Sequence, residues 1–270
     1  PGHSFAFRER DRNDIWKKGS LSRKRFVKIW EFLADRYKDK GKIMYELLNE
    51  PVAPRDSQWN SLAKEGIVAI RKHDKKHWIV VESNKWGNVH TFKNLEKFDD
   101  PRIIYSFHFY EPILITHQMA EWTGFYRHNI YRKLVEYPGR PDGVAKLGDR
   151  VRQKERDFTV FFKNQDRYWD KKELEKLVSL VLDFKRRHKV PILCGEFGCV
   201  AHGSPGTRKR WTEDFVAILK KNRISYTYWT YKNMDFGIWD YTEKYRHNAN
   251  YQNSKRQDVP ILRALKSGIL

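Results

Sequence analysis

Cysteine is scarce in this chain, with two among 270 residues, and so few leave no room for a disulfide framework. Cys194 and Cys199 stand five positions apart across the end of a predicted strand, where they are expected as unpaired, partly buried thiols. Long apolar runs are missing too. No stretch approaches the roughly 20 residues that a membrane span needs, so no membrane partner is expected. No signal peptide opens the sequence, which starts at Pro1-Gly2-His3; a leader has been removed or the true start lies upstream. There is no glycine-rich phosphate loop and no nucleophilic serine elbow. Acidic residues fall short of basic ones, 34 against 54, giving a formal charge of +20. Such an excess raises nucleic acid as a partner. The cations, however, are scattered along the predicted helices among acids, as in Lys171-Lys172-Glu173-Leu174-Glu175-Lys176, so solvated helix faces are the better reading and no nucleic-acid partner is expected.

What the chain has in plenty is aromatic surface: 15% Phe, Trp and Tyr, with ten Trp. Flat, apolar rings in excess of what a core needs suit stacking on sugars or bases. The hydrophobic pattern alternates between the two periods of regular structure. After a charged stretch at 1–19, helices are predicted from Ser20 to about Lys40-Gly41 and from about Ser57 through Ile70. Further helices are predicted at about Lys172–His188, Arg208–Asn222 and Val259–Lys266. Between them lie five predicted strands, ending at Glu50, Glu82, Tyr110, Phe197 and Tyr231. Strands separated by helices make βαβ units and a parallel sheet, hence an α/β fold in one domain. The segment at about 111–170 is too long for a simple connection. It is read as an insertion forming a lid or cleft wall, with Trp122, Tyr126 and Trp169 lining the cleft.

Ligands in such folds bind at the carboxyl ends of the strands, and there the chemistry collects. Lys42-Ile43-Met44-Tyr45-Glu46-Leu47-Leu48-Asn49-Glu50-Pro51 reads as a buried strand closing on a carboxylate. Proline disfavours helix in the residue before it, so Glu50 is expected in extended backbone, on the same face as Glu46. Glu46 is expected to point into the barrel centre against a buried arginine. Gly195-Glu196-Phe197-Gly198 closes another strand, His108-Phe109-Tyr110 a third and Tyr228-Trp229-Thr230 the last. Two carboxylates facing one another over an aromatic floor are what glycosidic cleavage requires. Glu82 also ends a strand and is read as a substrate contact or a structural residue. His73 and His77 share the i, i+4 spacing of metal ligands without an accompanying acid; imidazoles are favourable at a helix C-terminus anyway, so neither a metal nor a cofactor is expected.

Leu47-Leu48-Asn49-Glu50-Pro51, His108-Phe109-Tyr110, Gly195-Glu196-Phe197-Gly198 and Trp229, in this order, resemble glycoside hydrolase family 5, the cellulase-like retaining hydrolases. The resemblance implies a (β/α)8 TIM-barrel type of fold in which these segments are strands four, six, seven and eight. It implies Glu50 as acid/base, with a raised pKa, and Glu196 as the ionised nucleophile. Asn49 would donate to the sugar 2-hydroxyl, His108 and Tyr110 would orient the carboxylates and substrate, and Trp229 would stack on the cleaved sugar; Trp86 joins them as a substrate contact. It further implies a secreted enzyme acting on a β-glucan, most simply as an endo-β-1,4-glucanase, with β-1,3-glucan or mannan as other substrates.

One departure stands out. The family carries a histidine on its third strand shortly before a Pro-Gly pair, and Pro1-Gly2 resembles that pair. The chain is therefore expected to be an incomplete barrel, strands four to eight of a single partial domain over 1–270, needing an N-terminal barrel segment. A non-catalytic carbohydrate- or nucleic-acid-binding protein on a degraded barrel is the reading from another class.

Overall fold

Parallel strands alternate with helices, as the hydrophobic pattern predicts. The computed structural model describes residues 14–144, 147, 165–201, 203–204, 206–232, 235–238 and 259–268. The long helices are α1 (Leu21–Tyr37), α2 (Asp56–Arg71), α3 (Lys171–His188), α4 (Thr207–Lys221) and α5 (Val259–Ser267). The strands are β1 (Met44–Glu46), β2 (Trp78–Glu82), β3 (Ile103–Phe109), β4 (Ile192–Phe197) and β5 (Ser225–Tyr226), hydrogen-bonded in that order. The pairings β1–β2 and β2–β3 are parallel, with Tyr45 opposite Ile79 and Glu82 opposite Ser106. This is an α/β fold of the (β/α)8 type, with five strands among the described residues where a closed barrel has eight. The Pro1-Gly2 pair and much of the second half of the 111–170 segment lie outside the described residues.

The chain divides into two compact units, Pro1–His108 with Leu177–Gly195, and Phe109–Lys176 with Glu196–Leu270. In the first, Ser20 caps α1 by accepting from the Arg23 amide at 3.3 Å, one of the four helix-start donors that need a partner. Arg23 then spans to α2, placing its guanidinium on Glu65 at 2.7 and 3.0 Å and on Ser61 at 2.6 Å. Helix α2 buries Trp59, Leu62, Ala63 and Ile70 on one face, the stripe its 3.6-residue period predicts. Strand β3 turns Tyr105 and Phe107 toward the Phe92 and Phe184 rings, with edge-on centroids 5.0 to 6.2 Å apart. Alternation then puts Ser106 and His108 on the other face.

In the second unit the core is aromatic. Phe215 of α4 lies 4.3 Å from Phe109, 5.0 Å from Phe197 and 5.3 Å from Trp211. Each of these rings is fully buried, worth about 1.5–3 kcal/mol apiece in apolar burial.

Two strands are shorter than the pattern predicts. β5 holds two residues and breaks before the cis peptide at Trp229-Thr230. β1 stops at Glu46. Its last ladder bond runs from the Leu47 amide to the Val80 carbonyl at 3.2 Å. Beyond it side chains take over: Asn84 holds both the amide and the carbonyl of Ala53, at 2.9 and 3.1 Å. Glu50, expected in extended backbone, has φ 49°, in the left-handed region. The alternation that was to align it with Glu46 therefore does not reach it. Glu46 itself is exposed rather than facing a buried arginine. Met44, on the same side, is also 56% exposed; β1 stands at the end of the strand order, and this face has no cover among the described residues.

Candidate active site

In the first unit, the turn after β1 delivers Glu50 to His108. The imidazole Nδ1 lies 3.0 Å from Glu50 Oε1, and both side chains are nine-tenths buried or more. Behind them is Glu82, at the end of β2 and fully buried. Its Oε2 accepts the Glu50 amide at 2.6 Å, and its Oε1 lies 3.2 Å from His108 Nε2. The left-handed backbone of Glu50 is thus held from a strand 32 residues further on. Burial drives the Glu82 carboxyl well above the usual range. The charges of Glu50 and Glu46 push the same way, while His108 and the Glu50 amide oppose them.

Two glycines make room for this cluster. A Cβ on Gly87 would stand 2.2 Å from Glu82 Oε1 and 2.7 Å from the His108 amide. One on Gly195 would stand 2.7 Å from Ser106 Oγ and 3.2 Å from His108 Nε2. Asn49 sits half-buried in the bend with Glu50. Trp86 is 38% exposed, with φ 62° and its amide on the Pro51 carbonyl at 3.2 Å.

In the second unit, Glu196 accepts a hydrogen bond from the Tyr110 hydroxyl at 2.9 Å. The Tyr110 ring is walled edge-on by His117 at 5.1 Å and Phe236 at 5.7 Å, and Thr116 Oγ1 donates to its carbonyl. Tyr110 and Trp229 both pack on the cluster of Ala120, Val200 and Phe236. The Trp229 amide bonds the Phe197 carbonyl at 3.0 Å, which fixes the start of that loop to the end of β4. Arg208 of α4 donates to the carbonyls of Phe236 and Gly237 at 2.6 and 2.9 Å. Sequence reasoning missed these supports, His117, Phe236 and Arg208, because nothing local marks a side chain whose work is done on a distant turn.

Of the residues predicted to line a cleft, Trp169 is buried, at 2% exposure, with its indole on the Gln165 carbonyl. An isolated bridge to Gly139 holds its backbone in the core, so it cannot meet a ligand. Tyr126 lies beneath the Arg132 guanidinium at 4.3 Å. Trp122 is half exposed, its indole N–H donating to Asp235 at 2.8 Å. Glu82, for which substrate contact was one reading, is sealed from solvent. His73 and His77 go to different carboxylates, Asp35 at 3.4 Å and Asp74 at 2.5 Å. Cys194 and Cys199 are buried thiols, and burial pushes Cys199 up to about 12.

The strand order, with Glu50 in the turn after β1 and Glu196 in the last residues of β4, defines an α/β protein of the (β/α)8 kind, which carries its functional side chains toward the carboxyl ends of its strands. The family model for cellulase (glycosyl hydrolase family 5) matches residues 9–235, and the chain belongs to that family. It is 35% identical over 232 residues to endoglucanase C of Acetivibrio thermocellus, covering 82% of this chain and 63% of that protein. To cellodextrinase A of Ruminococcus flavefaciens it is 27% identical over 226 residues, 83% of this chain and 58% of the relative. It thus spans less than two thirds of the length of these relatives. The crystal structure of an endoglucanase from the hyperthermophilic Thermotoga maritima superposes with a TM-score of 0.70 at 27% identity. That match covers 94% of this chain and 70% of the other.

Proposed function

We propose that the chain is a retaining β-glycosidase that cuts internal β-1,4 bonds of a β-glucan. Glu50 is the acid/base: it protonates the departing oxygen and then takes a proton from water. Glu196 is the nucleophile that forms and releases the glycosyl ester. The observation that carries this reading is that each carboxylate has its own hydrogen-bonding neighbour, His108 at 3.0 Å from Glu50 and the Tyr110 hydroxyl at 2.9 Å from Glu196. Asn49 is the donor to the sugar 2-hydroxyl, Trp229 the platform under the cleaved sugar, and Trp86 a further stacking contact. The name of the Acetivibrio thermocellus relative, an endoglucanase, supports the substrate class. A polymer of that kind does not cross a membrane, which supports a site of action outside the cell. Because a closed barrel of this type has eight strands, full turnover is read as needing strands beyond the five described.

A β-mannan is the second reading. A structure of a Thermotoga maritima protein 26% identical to this chain was solved in complex with mannotriose. The two are separated by offering soluble β-1,4-glucan, β-1,3-glucan and β-mannan in parallel while following reducing ends, viscosity and the anomer released. The expected result is a rapid viscosity fall on β-1,4-glucan with the β-anomer appearing first. An α-anomer first removes Glu196 as nucleophile; turnover on mannan alone moves the substrate; no turnover on any of the three by the chain supplied with its N-terminal barrel segment sinks the reading.

A further inference from the structure

Glu82 is a buried carboxyl that touches both Glu50 and His108 and is sealed from solvent. Its two oxygens differ. Oε2 accepts the Glu50 amide at 2.6 Å. Oε1 is buried with no hydrogen-bond partner, although His108 Nε2 is only 3.2 Å away. The contact takes one proton, carried by Nε2 or by Oε1; Nδ1 already faces the Glu50 carboxylate at 3.0 Å, and a neutral imidazole that donates there has only a lone pair at Nε2. A hydroxyl on Oε1 can turn toward the Nε2 lone pair, and a carboxylic acid has just that pair of functions, a carbonyl that accepts and a hydroxyl that donates. An orphaned buried acceptor costs free energy; as a donor, the same atom is satisfied.

We propose that Glu82 is a positioning residue for Glu50: as a neutral carboxylic acid it holds the Glu50 amide through Oε2 and donates from Oε1 to His108 Nε2. This fixes His108 in the tautomer whose Nδ1–H is directed at the Glu50 carboxylate. The groups around it fit. Glu46 and Glu50 both face Glu82 with negative charge, which disfavours a third carboxylate, and His108 is the single cationic candidate among the groups that act on it. Gly87 and Gly195 keep the space beside Oε1 and Nε2 clear of any Cβ. The opposing arrangement, an imidazolium between two carboxylates, requires both imidazole nitrogens to be protonated. The proposal rests on the acid/base role assigned to Glu50 above, but the tautomer it predicts does not.

The test is therefore made twice on the full chain. Ring-15N histidine NMR, with the His108 signals assigned by their loss in His108→Gln, should show Nδ1 protonated and Nε2 bare between pH 6 and 8. Glu82→Gln should keep that tautomer, since its amide donates to Nε2 and its carbonyl accepts the Glu50 amide; Glu82→Ala should mix the tautomers. In kinetics, Glu82→Gln should stay within about 3-fold of the parent with the same pH profile. Glu82→Ala should lose about 100-fold in kcat with KM little changed, as a displaced reacting group does. Its alkaline limb should also move to higher pH, because a Glu50 carboxylate without its donor keeps its proton longer. Two protonated nitrogens in the parent, or a Glu82→Ala variant with parental tautomer and pH profile, overturns the proposal. A parent that shows the bare Nε2 but has no turnover even when supplied with its N-terminal barrel segment overturns the hydrolase reading and leaves this one standing.

Discussion

The two carboxylates of this protein are held by different chemistry. On the Glu50 side the support is itself ionisable: an imidazole, and behind it a buried carboxyl whose proton affinity is raised by the loss of solvent. On the Glu196 side the support is a phenol, walled edge-on by rings at 5.1 and 5.7 Å. Both partners come from β3 or the residue after it, two positions apart. The lesson is that one strand serves two carboxylates in two ways, and the difference matches the roles proposed for them. A group that must give and regain a proton in each cycle sits in a network that can shift with pH. A group that must stay a carboxylate is given a phenol hydroxyl as its donor.

The comparison breaks most severely if the two carboxylates prove interchangeable. Glu196→Ala should lose turnover on every substrate by about 10⁴-fold or more. Glu50→Ala should still react with an aryl glycoside whose leaving group needs no proton, show a burst and carry a sugar ester on Glu196 detectable by mass spectrometry. A sugar on Glu50 in the reciprocal variant reverses the assignment. Tyr110→Phe tests the other support: it removes one hydrogen bond to a charged group, about 1.5–3 kcal/mol, hence about 10- to 100-fold in kcat, and it should move the acidic limb to higher pH, because Glu196 without its donor keeps its proton longer, while the alkaline limb stays in place. A shifted alkaline limb in Tyr110→Phe erases the contrast drawn above.

Stability against pH sharpens the same contrast through two buried carboxyls of opposite behaviour. Glu82 keeps a proton in the fold that the unfolded chain gives up near pH 4.3. Its contribution is present below that pH and declines as pH rises toward its raised folded value; Glu82→Gln should flatten this decline in thermal unfolding. At Asp74 burial favours the proton, yet bonds from His77, the Lys76 and His77 amides and the Tyr45 hydroxyl outweigh it and hold the carboxyl far below the usual range. Its contribution is present above about pH 3.9 and is lost as pH falls through the lowered folded value. Asp74→Ala should cost about 2–4 kcal/mol at neutral pH, because those donors lose their buried acceptor. The loss should shrink in strong acid. Smallest of all, Ser20→Ala should cost about 1 kcal/mol with kcat unchanged, which shows how little stability alone moves the kinetics.

Much of this was legible from residue patterns. Helix and strand positions follow from periodicity, and Glu50, His108, Tyr110, Glu196 and Trp229 all stand at or just beyond strand ends. The backbone of Glu50 was not legible. Pro51 says only that helix is disfavoured; the left-handed turn is set by Glu82 and Asn84, more than thirty residues away, and local sequence does not carry such bonds. Trp169 was misplaced for a related reason. An aromatic residue in a charged loop looks like a ligand contact, and only the antiparallel bridge to Gly139 shows that its ring belongs to the core.

The empty space at Gly87 reaches beyond this molecule. At φ 66°, with the carboxyl of residue 82 at 2.2 Å from where a Cβ would begin, position 87 and position 82 cannot vary independently. A library that randomises both should return glycine at 87 wherever glutamate survives at 82. Other residues should appear at 87 only together with a shorter side chain at 82 and a backbone that has left the left-handed region. In protein-engineering terms the pair is a single unit of inheritance, and grafting the Glu50 turn onto another barrel means moving both positions at once.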